Sequence, residues 1–391
     1  MGLSWERRSA VAVVGPVSPP ANGMTVMTEV VLGSSLRDEF RLCHVDTSDH
    51  REIAAVGRLD LWNVWLAARH ALAFGVALLR RPALCYLPVA RNRLGFLRDA
   101  VLLGLARLAR RSCVVHFHGR GFSDFYAAEP RWMRLLIRLA LRGRTHALVL
   151  GESRRQEFAG LLPDERVHVV PNGISDHAHP DVADEPRERL VLHLATLMRE
   201  KGVFDVIEAA HRTQQALPDA TFVLAGDWYR QEERREAESY LAEHGIEDRV
   251  QIVGPVHGAA KAELLARAAA MAFPSRYPYE GHPLVVLEAL CSGTPVIATP
   301  IGCIPEMIRD SREGFLVAEG DVDALGARLV ELLGDEGLRR RMGLAARRRY
   351  EEAFTVERFA ERLCEVWRRV LADDVAAEPL ALAASEGGLT P

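Results

Sequence analysis

Lysine is almost missing from this chain. Of its 49 basic residues only Lys201 and Lys261 are lysines. Lys201, at the end of a strand, keeps a compact ammonium where arginine is the habit and is a candidate for a tight diphosphate pocket, with chance as the competing explanation. The six cysteines (Cys43, Cys85, Cys113, Cys291, Cys303, Cys364) are scattered, with no Cys-x-x-Cys pair. That argues against a metal clip or a disulfide frame and for a reducing cytoplasm. The first strand is not followed by a Gly-x-Gly-x-x-Gly fingerprint, so a nicotinamide cofactor is unsupported. Nucleic-acid-binding motifs are missing too. Residues 1–10 carry charge and the apolar run after them stops at Pro16, which reads as no signal peptide. The longest apolar run, Val64 to Leu79, is broken by Arg69 and His70 and on this reading falls short of a membrane span.

Acid is scarce in one region. Between Arg51 and Arg155 there are 19 Arg and no Lys against six Asp or Glu, a local charge of +13. That leaves −17 for the rest of a chain whose net charge is −4. A basic N-terminal half implies a negatively charged ligand or surface, and anionic lipid headgroups fit better than nucleic acid. Within it, Arg131, Arg134, Arg138 and Arg142 recur at three- and four-residue spacing on one helical face, with Trp132, Leu135, Leu136 and Leu139 around them. Trp62, Trp65, Arg69, Phe74, Arg80 and Arg81 mix in the same way. Such helices either lie on an anionic membrane or present an ordinary solvated face.

At 391 residues, 49% apolar and 26% charged, the chain has the makeup of two soluble domains. A continuous apolar strand is expected at 10–14 and further short strands at 40–45, 83–87, 113–117, 147–150 and 167–170, and again at 190–194, 221–225, 249–253, 271–273, 295–298 and 315–317, with helices between most of them. That alternation defines an α/β protein of two doubly wound domains with parallel sheets. The expected organisation is a flexible start at 1–9, a first domain at 10–178 and a Pro- and acid-rich linker at 179–188. A second domain at 189–354, a C-terminal helix at 355–372 returning to the first domain, and a disordered tail at 373–391 follow.

Ligands in such sheets bind beyond the C-terminal strand ends. The loop after Val14 carries Asn22 and Gly23, where a glycine permits close backbone approach. The loop after Phe117 carries His118 and Gly119, a histidine able to meet a sugar hydroxyl or phosphate, or else to satisfy backbone groups. The richest stretch is 273–299. Pro283 suits a first helical position, so the amides of residues 281–285 would crown a helix N-terminus, a ready phosphate site. Glu280 precedes it, and Glu288 lies about 7–8 Å further along the helix, placed for a ribose after a diphosphate.

Together these segments resemble family 4 of the retaining glycosyltransferases, which have the GT-B fold of two facing Rossmann-like domains with a central cleft. The resemblance spans nearly all of residues 10–370. Its specific part is the paired-glutamate motif, matched by Pro274, Ser275, Glu280, Gly281, Leu287, Glu288, Ala289, Gly293, Pro295, Val296, Ile297 and Ala298. Glu200-Lys201-Gly202, Pro171-Asn172-Gly173, Gly226-Asp227 and His118-Gly119 match weaker features in the same order. The resemblance implies that Glu280 stabilises positive charge at the anomeric carbon and that Glu288 holds the nucleotide ribose. It implies that Lys201, with Gly281, His282, Pro283, Leu284 and Val285, receives the leaving diphosphate. It further places His118 across the cleft near the donor sugar, with Gly119, Asn22 and Gly23 on the acceptor side or near the diphosphate. Two departures stand out. Ala195-Thr196-Leu197 replaces the family's Gly-Arg-Leu, with Arg199 as a substitute cation, and His282-Pro283 replaces the aromatic residue that often follows Glu-Gly.

The implied activity is metal-independent, retaining transfer from a UDP- or GDP-sugar to a glycan or polyprenyl-diphosphate-linked acceptor in exopolysaccharide or surface-glycan synthesis. The expected place is the cytoplasm, peripheral to the inner face of the cell membrane. The alternatives are a sugar-nucleotide epimerase or hydrolase of the same fold, and a non-catalytic partner subunit.

Overall fold

The computed structural model describes residues 8–19, 22–49, 61–178 and 187–386. The chain divides into two compact units, 1–172 with 356–391, and 173–355.

In the first unit six strands, β1 Ser9–Gly15, β2 Phe40–Asp46, β3 Leu84–Pro88, β4 Ser112–His116, β5 Thr145–Val149 and β6 Val167–Val169, form one sheet in the order β2-β1-β3-β4-β5-β6. Every pairing is parallel. β1, β3, β4 and β5 are buried almost end to end, as strands covered on both faces by helices must be. The helices are α1 Gly23–Gly33, α2 Leu36–Glu39, α3 Leu61–Leu79, α4 Arg93–Leu108, α5 Phe122–Ala128 and α6 Arg131–Leu141.

In the second unit β7 Glu188–Leu194, β8 Thr221–Ala225, β9 Val250–Gly254, β10 Ala268–Phe273, β11 Val296–Ala298 and β12 Gly314–Leu316 pair in parallel in the order β12-β11-β10-β7-β8-β9. Its helices are α7 Val203–Arg212, α8 Gln231–His244, α9 Gly258–Arg267, α10 Leu284–Cys291, α11 Ile304–Met307, α12 Val322–Gly334 and α13 Glu336–Ala353. Strand order reverses between β7 and β10: the chain runs outward through β8 and β9, then returns through β10 to β11 and β12. That switch point is where an open parallel sheet leaves a crevice between diverging loops.

The last helix, α14 Val356–Glu386, belongs to the first unit. Its Trp367 is fully buried, edge-on to Phe40 at 5.2 Å and to Tyr86 at 5.9 Å.

All twelve expected strands are present, with ends shifted by at most three residues. Other expectations need correction. The first unit ends at Asn172 rather than 178, because Ile174 already bridges Thr355 and its carbonyl accepts the Tyr350 hydroxyl at 3.0 Å within the second unit. Ser9 starts β1 and Glu188 starts β7, so strand reaches into the expected flexible start and linker; the remaining expectations at 1–7 and 179–186 lie outside the described residues. The stretch from 373, expected to be disordered, continues α14 to Glu386, alanine-rich although Pro379 lies within it, and residues 387–391 lie outside the described residues. Finally, α3 runs 19 residues and by length and composition is long and apolar enough to cross a membrane, contrary to the shorter run expected. Arg69 and His70 do not interrupt it, because His70 turns into the unit with Leu66, Phe74 and Leu78.

Candidate active site

The loops leaving β7 and β10 meet at the switch point of the second unit. After β7 a short 3-10 turn, Arg199–Lys201, leads into Gly202, which caps α7 in the left-handed conformation at φ 83°. A side chain there would collide with the Pro274 carbonyl oxygen, 2.3 Å from an added Cβ. The Arg276 amide donates to the Glu200 carbonyl at 2.8 Å, closing the two loops on each other. Lys201 is thereby delivered to the loop after β10. Its Nζ lies 2.5 Å from Glu280 Oε2, which also accepts the Ser275 hydroxyl at 3.1 Å. The ammonium sits 4.6 Å from the centre of the Tyr277 ring. Glu280 is 7% exposed, so the pair works at low dielectric, where either charge alone is costly.

The Glu280 amide donates to the Tyr277 carbonyl and the Cys303 amide to the Gly281 carbonyl. Gly302, at φ 58°, holds the far side of this turn; an added Cβ would stand 2.4 Å from the Glu280 carbonyl oxygen.

The helix that follows begins one residue later than expected. Pro283 is the N-cap, extended at ψ 120°, and its carbonyl accepts the Val286 amide at 3.1 Å. Gly281 and His282 therefore precede the helix, and the amides at its entrance are those of Leu284 and Val285, whose positions have no carbonyl within the helix to bond. Glu288 lies on this helix. Lys261, from α9, reaches its Oε1 at 2.6 Å, while Oε2 is buried without a hydrogen-bond partner. His282 is buried with its ring tilted against Phe354, centroids 5.5 Å apart, which ties it to the packing of the unit.

Arg199, expected as a substitute phosphate ligand, points elsewhere. It pairs with Glu236 at 2.5 Å and lies 4.1 Å over the Phe204 ring. A guanidinium already held by a carboxylate and an aromatic face is not a loose cation for the loop.

In the first unit His118 follows β4. Its ring lies 3.9 Å from that of His116, whose Nδ1 is 2.6 Å from the Tyr86 hydroxyl. Burial pushes His118 down to about 4, opposed by its hydrogen bond with the Asn172 side chain. At neutral pH the imidazole is uncharged: it suits a sugar hydroxyl and supplies no positive charge to a phosphate. Gly119 sits in the same loop. Asn22, expected to face an acceptor, is instead the N-cap of α1: its Oδ1 accepts the Met24 and Thr25 amides at 3.0 and 3.1 Å. Gly23 opens that helix with open space where a Cβ would be.

Four groups escaped the sequence reading, Lys261 beside Glu288 among them. Ser275 and Tyr277 complete the Lys201–Glu280 cluster; Ser275 stood inside the motif but had no role. Glu157 is buried, and its carboxylate accepts the Gly121 and Ser123 amides at 3.0–3.2 Å. An internal acid thus occupies the N-terminus of α5, and a lone Glu in a loop gives no sequence signal for that. Among the described residues, no group of three or more His, Cys, Asp or Glu side chains converges as a metal site would require.

Two parallel α/β units of this topology are the GT-B fold, shared with solved glycosyltransferases. Residues 176–349, nearly all of the second unit, match the family model described as glycosyl transferases group 1. Among curated relatives, N-acetyl-alpha-D-glucosaminyl L-malate synthase of Bacillus anthracis is 31% identical over 235 residues, 60% of this chain and 59% of that protein. The MMP alpha-(1->4)-mannosyltransferase of Mycolicibacterium hassiacum is 32% identical over 286 residues, 73% of this chain and 64% of that one. The chain spans 48–59% of the length of the first curated relatives it matches. The structure of Anabaena HepE in complex with UDP-glucose aligns with 93% of this chain and all of that chain, at TM-score 0.71 and 19% identity, a likeness of fold alone.

Proposed function

We propose that this protein is a metal-independent, retaining glycosyltransferase that moves a sugar from a UDP- or GDP-sugar to a glycan or polyprenyl-diphosphate-linked acceptor. Its work is surface-glycan synthesis at the cytoplasmic face of the cell membrane. The observation that carries the reading is the Lys201–Glu280 pair, hydrogen-bonded to Ser275, at the switch point where a group 1 domain match falls.

The donor diphosphate lies at the entrance of α10, met by the Leu284 and Val285 amides and the positive end of the helix. Lys201 turns part of its charge from Glu280 to the phosphate, and Glu280 faces the positive charge that grows at the anomeric carbon as the bond to phosphate oxygen breaks. The acceptor oxygen forms its bond on the face the phosphate leaves, and the acceptor's proton passes to the departing phosphate oxygen. Glu288 Oε2 accepts a ribose hydroxyl.

The relatives differ by name in sugar and acceptor, so the first test is broad. A thermal-shift screen of UDP- and GDP-sugars should find a donor that raises the melting temperature. Glu280→Gln should then turn that donor over roughly 100-fold more slowly, while UDP or GDP still binds. Unaltered turnover in the variant, or no shift with any nucleoside diphosphate, overturns the assignment.

A further inference from the structure

We infer that the joined outer faces of α3, α4 and α6 are a docking surface for an anionic lipid bilayer. The inference rests on the membrane location proposed above, not on the catalytic chemistry. Sheet order sets the three helices side by side. β2 crosses to β3, β3 to β4 and β4 to β5 all in one direction, and right-handed crossovers put the connecting helices on the same face of the sheet.

Their inner seams are ordinary core: Leu66, His70, Phe74 and Leu78 on α3, and Met133, Ile137 and Leu141 on α6, are buried. The outer side is not what water selects. Leu72 is 71% exposed, Val76 52%, Leu135 58% and Trp132 55%, with Trp62 and Trp65 half exposed. Three of the chain's six tryptophans therefore stand on this face, the residue that settles at the level of lipid headgroups.

Charge decides the occupant. From Leu61 to Arg144 there are 15 Arg and three acidic residues. α3 and α6 contain no acid, and the single acid of α4, Asp99, is buried against Arg98. Arg131, Arg138 and Arg142 are exposed beside Trp132, Leu135 and Leu139. Among the described residues of these three helices the exposed charges are guanidinium groups, with Glu129 held by Arg93 beside them, and an apolar face so edged complements phosphate headgroups over acyl chains. Although α3 has the length of a span, its buried seam is packed on α4 and the sheet, so it lies along the bilayer surface.

The test is sedimentation of the full chain with vesicles of phosphatidylcholine alone or with 30% phosphatidylglycerol. Binding is expected only to the anionic vesicles, with release at 0.5 M salt as screening takes over. Leu72→Glu with Val76→Glu, or Leu135→Glu alone, should weaken it at least tenfold. Each changes an exposed side chain, so the melting temperature and its shift by a nucleoside diphosphate should stay unaltered. Loss of that nucleotide shift with vesicle binding retained would defeat the catalytic reading alone. No binding, equal binding to neutral vesicles, or concentration-dependent self-association abolished by the same substitutions would overturn the bilayer as occupant.

Discussion

Lys261 Nζ is 2.6 Å from Glu288 Oε1, and the other carboxylate oxygen of Glu288 is buried with no partner. The chain's other lysine pairs with the other motif glutamate, Lys201 with Glu280. In a protein that uses arginine for every other cation, both lysines are spent on these two acids. A compact ammonium holds one oxygen and leaves the second to accept, where a bidentate guanidinium would engage both. Lys261→Met should therefore raise KM for the donor roughly tenfold with little change in kcat, the mark of lost uniform binding, measured by steady-state kinetics. Lys261→Arg should not restore it.

Lys201 and Glu280 form a mostly buried ion pair, so removing one partner leaves an uncompensated charge. Lys201→Met should cost about 3 kcal/mol of stability in denaturant unfolding, and the double variant with Glu280→Gln should cost less than the sum of the two single changes. Additive losses would show that the two side chains are not coupled.

Gly302→Ala puts a methyl group against the Glu280 and Gly281 carbonyl oxygens, at a φ that alanine rarely adopts. The turn must move, and Glu280 with it. Turnover should fall at least tenfold, with a stability loss of about 1–3 kcal/mol. An unaltered turnover number would mean that the turn tolerates displacement and that Glu280 needs no such support.

Acid should destabilise the protein through its buried histidines, most of them in the first unit, with His193 in the second also held down at about 4 by burial. Burial is the first cause holding His70, His118, His146 and His168 down at about 4, and it holds His116 well below its ordinary value. His146 and His168 are also 3.1 Å apart, so charging one opposes the other. In the unfolded chain these groups titrate near 6.5. Between about pH 6.5 and 4 the unfolded state therefore binds more protons, and stability falls as pH drops through that window. The melting temperature should be steady above pH 7 and decline below about 6.5. A flat profile down to pH 5 would contradict the buried, neutral state of these rings.

Asn22→Ala removes two hydrogen bonds at the start of α1 and should cost about 1 kcal/mol in thermal or denaturant unfolding. Since its Oδ1 is committed to the helix, KM for the acceptor should not change. A raised acceptor KM would restore Asn22 to the substrate.

The sequence by itself determined the fold class, because twelve short strands alternating with helices have few arrangements other than two parallel sheets. It also pointed to Glu280 and Glu288, which share one loop and the helix after it, and to Lys201, which the separate loop after β7 brings to Glu280. It did not reach interactions made across the sheet. Lys261 comes to Glu288 from another helix, Asn172 to His118 from another strand end, and Glu157 fills the N-terminus of α5 from 36 residues beyond Gly121. Arg199 and Asn22 were legible as polar groups near loops, yet Glu236 with Phe204 and the α1 amides hold them. Composition also gave a basic, aromatic N-terminal half, but not which side of each helix faces out. Only the packing of α3, α4 and α6 on a single sheet face turned that composition into a surface.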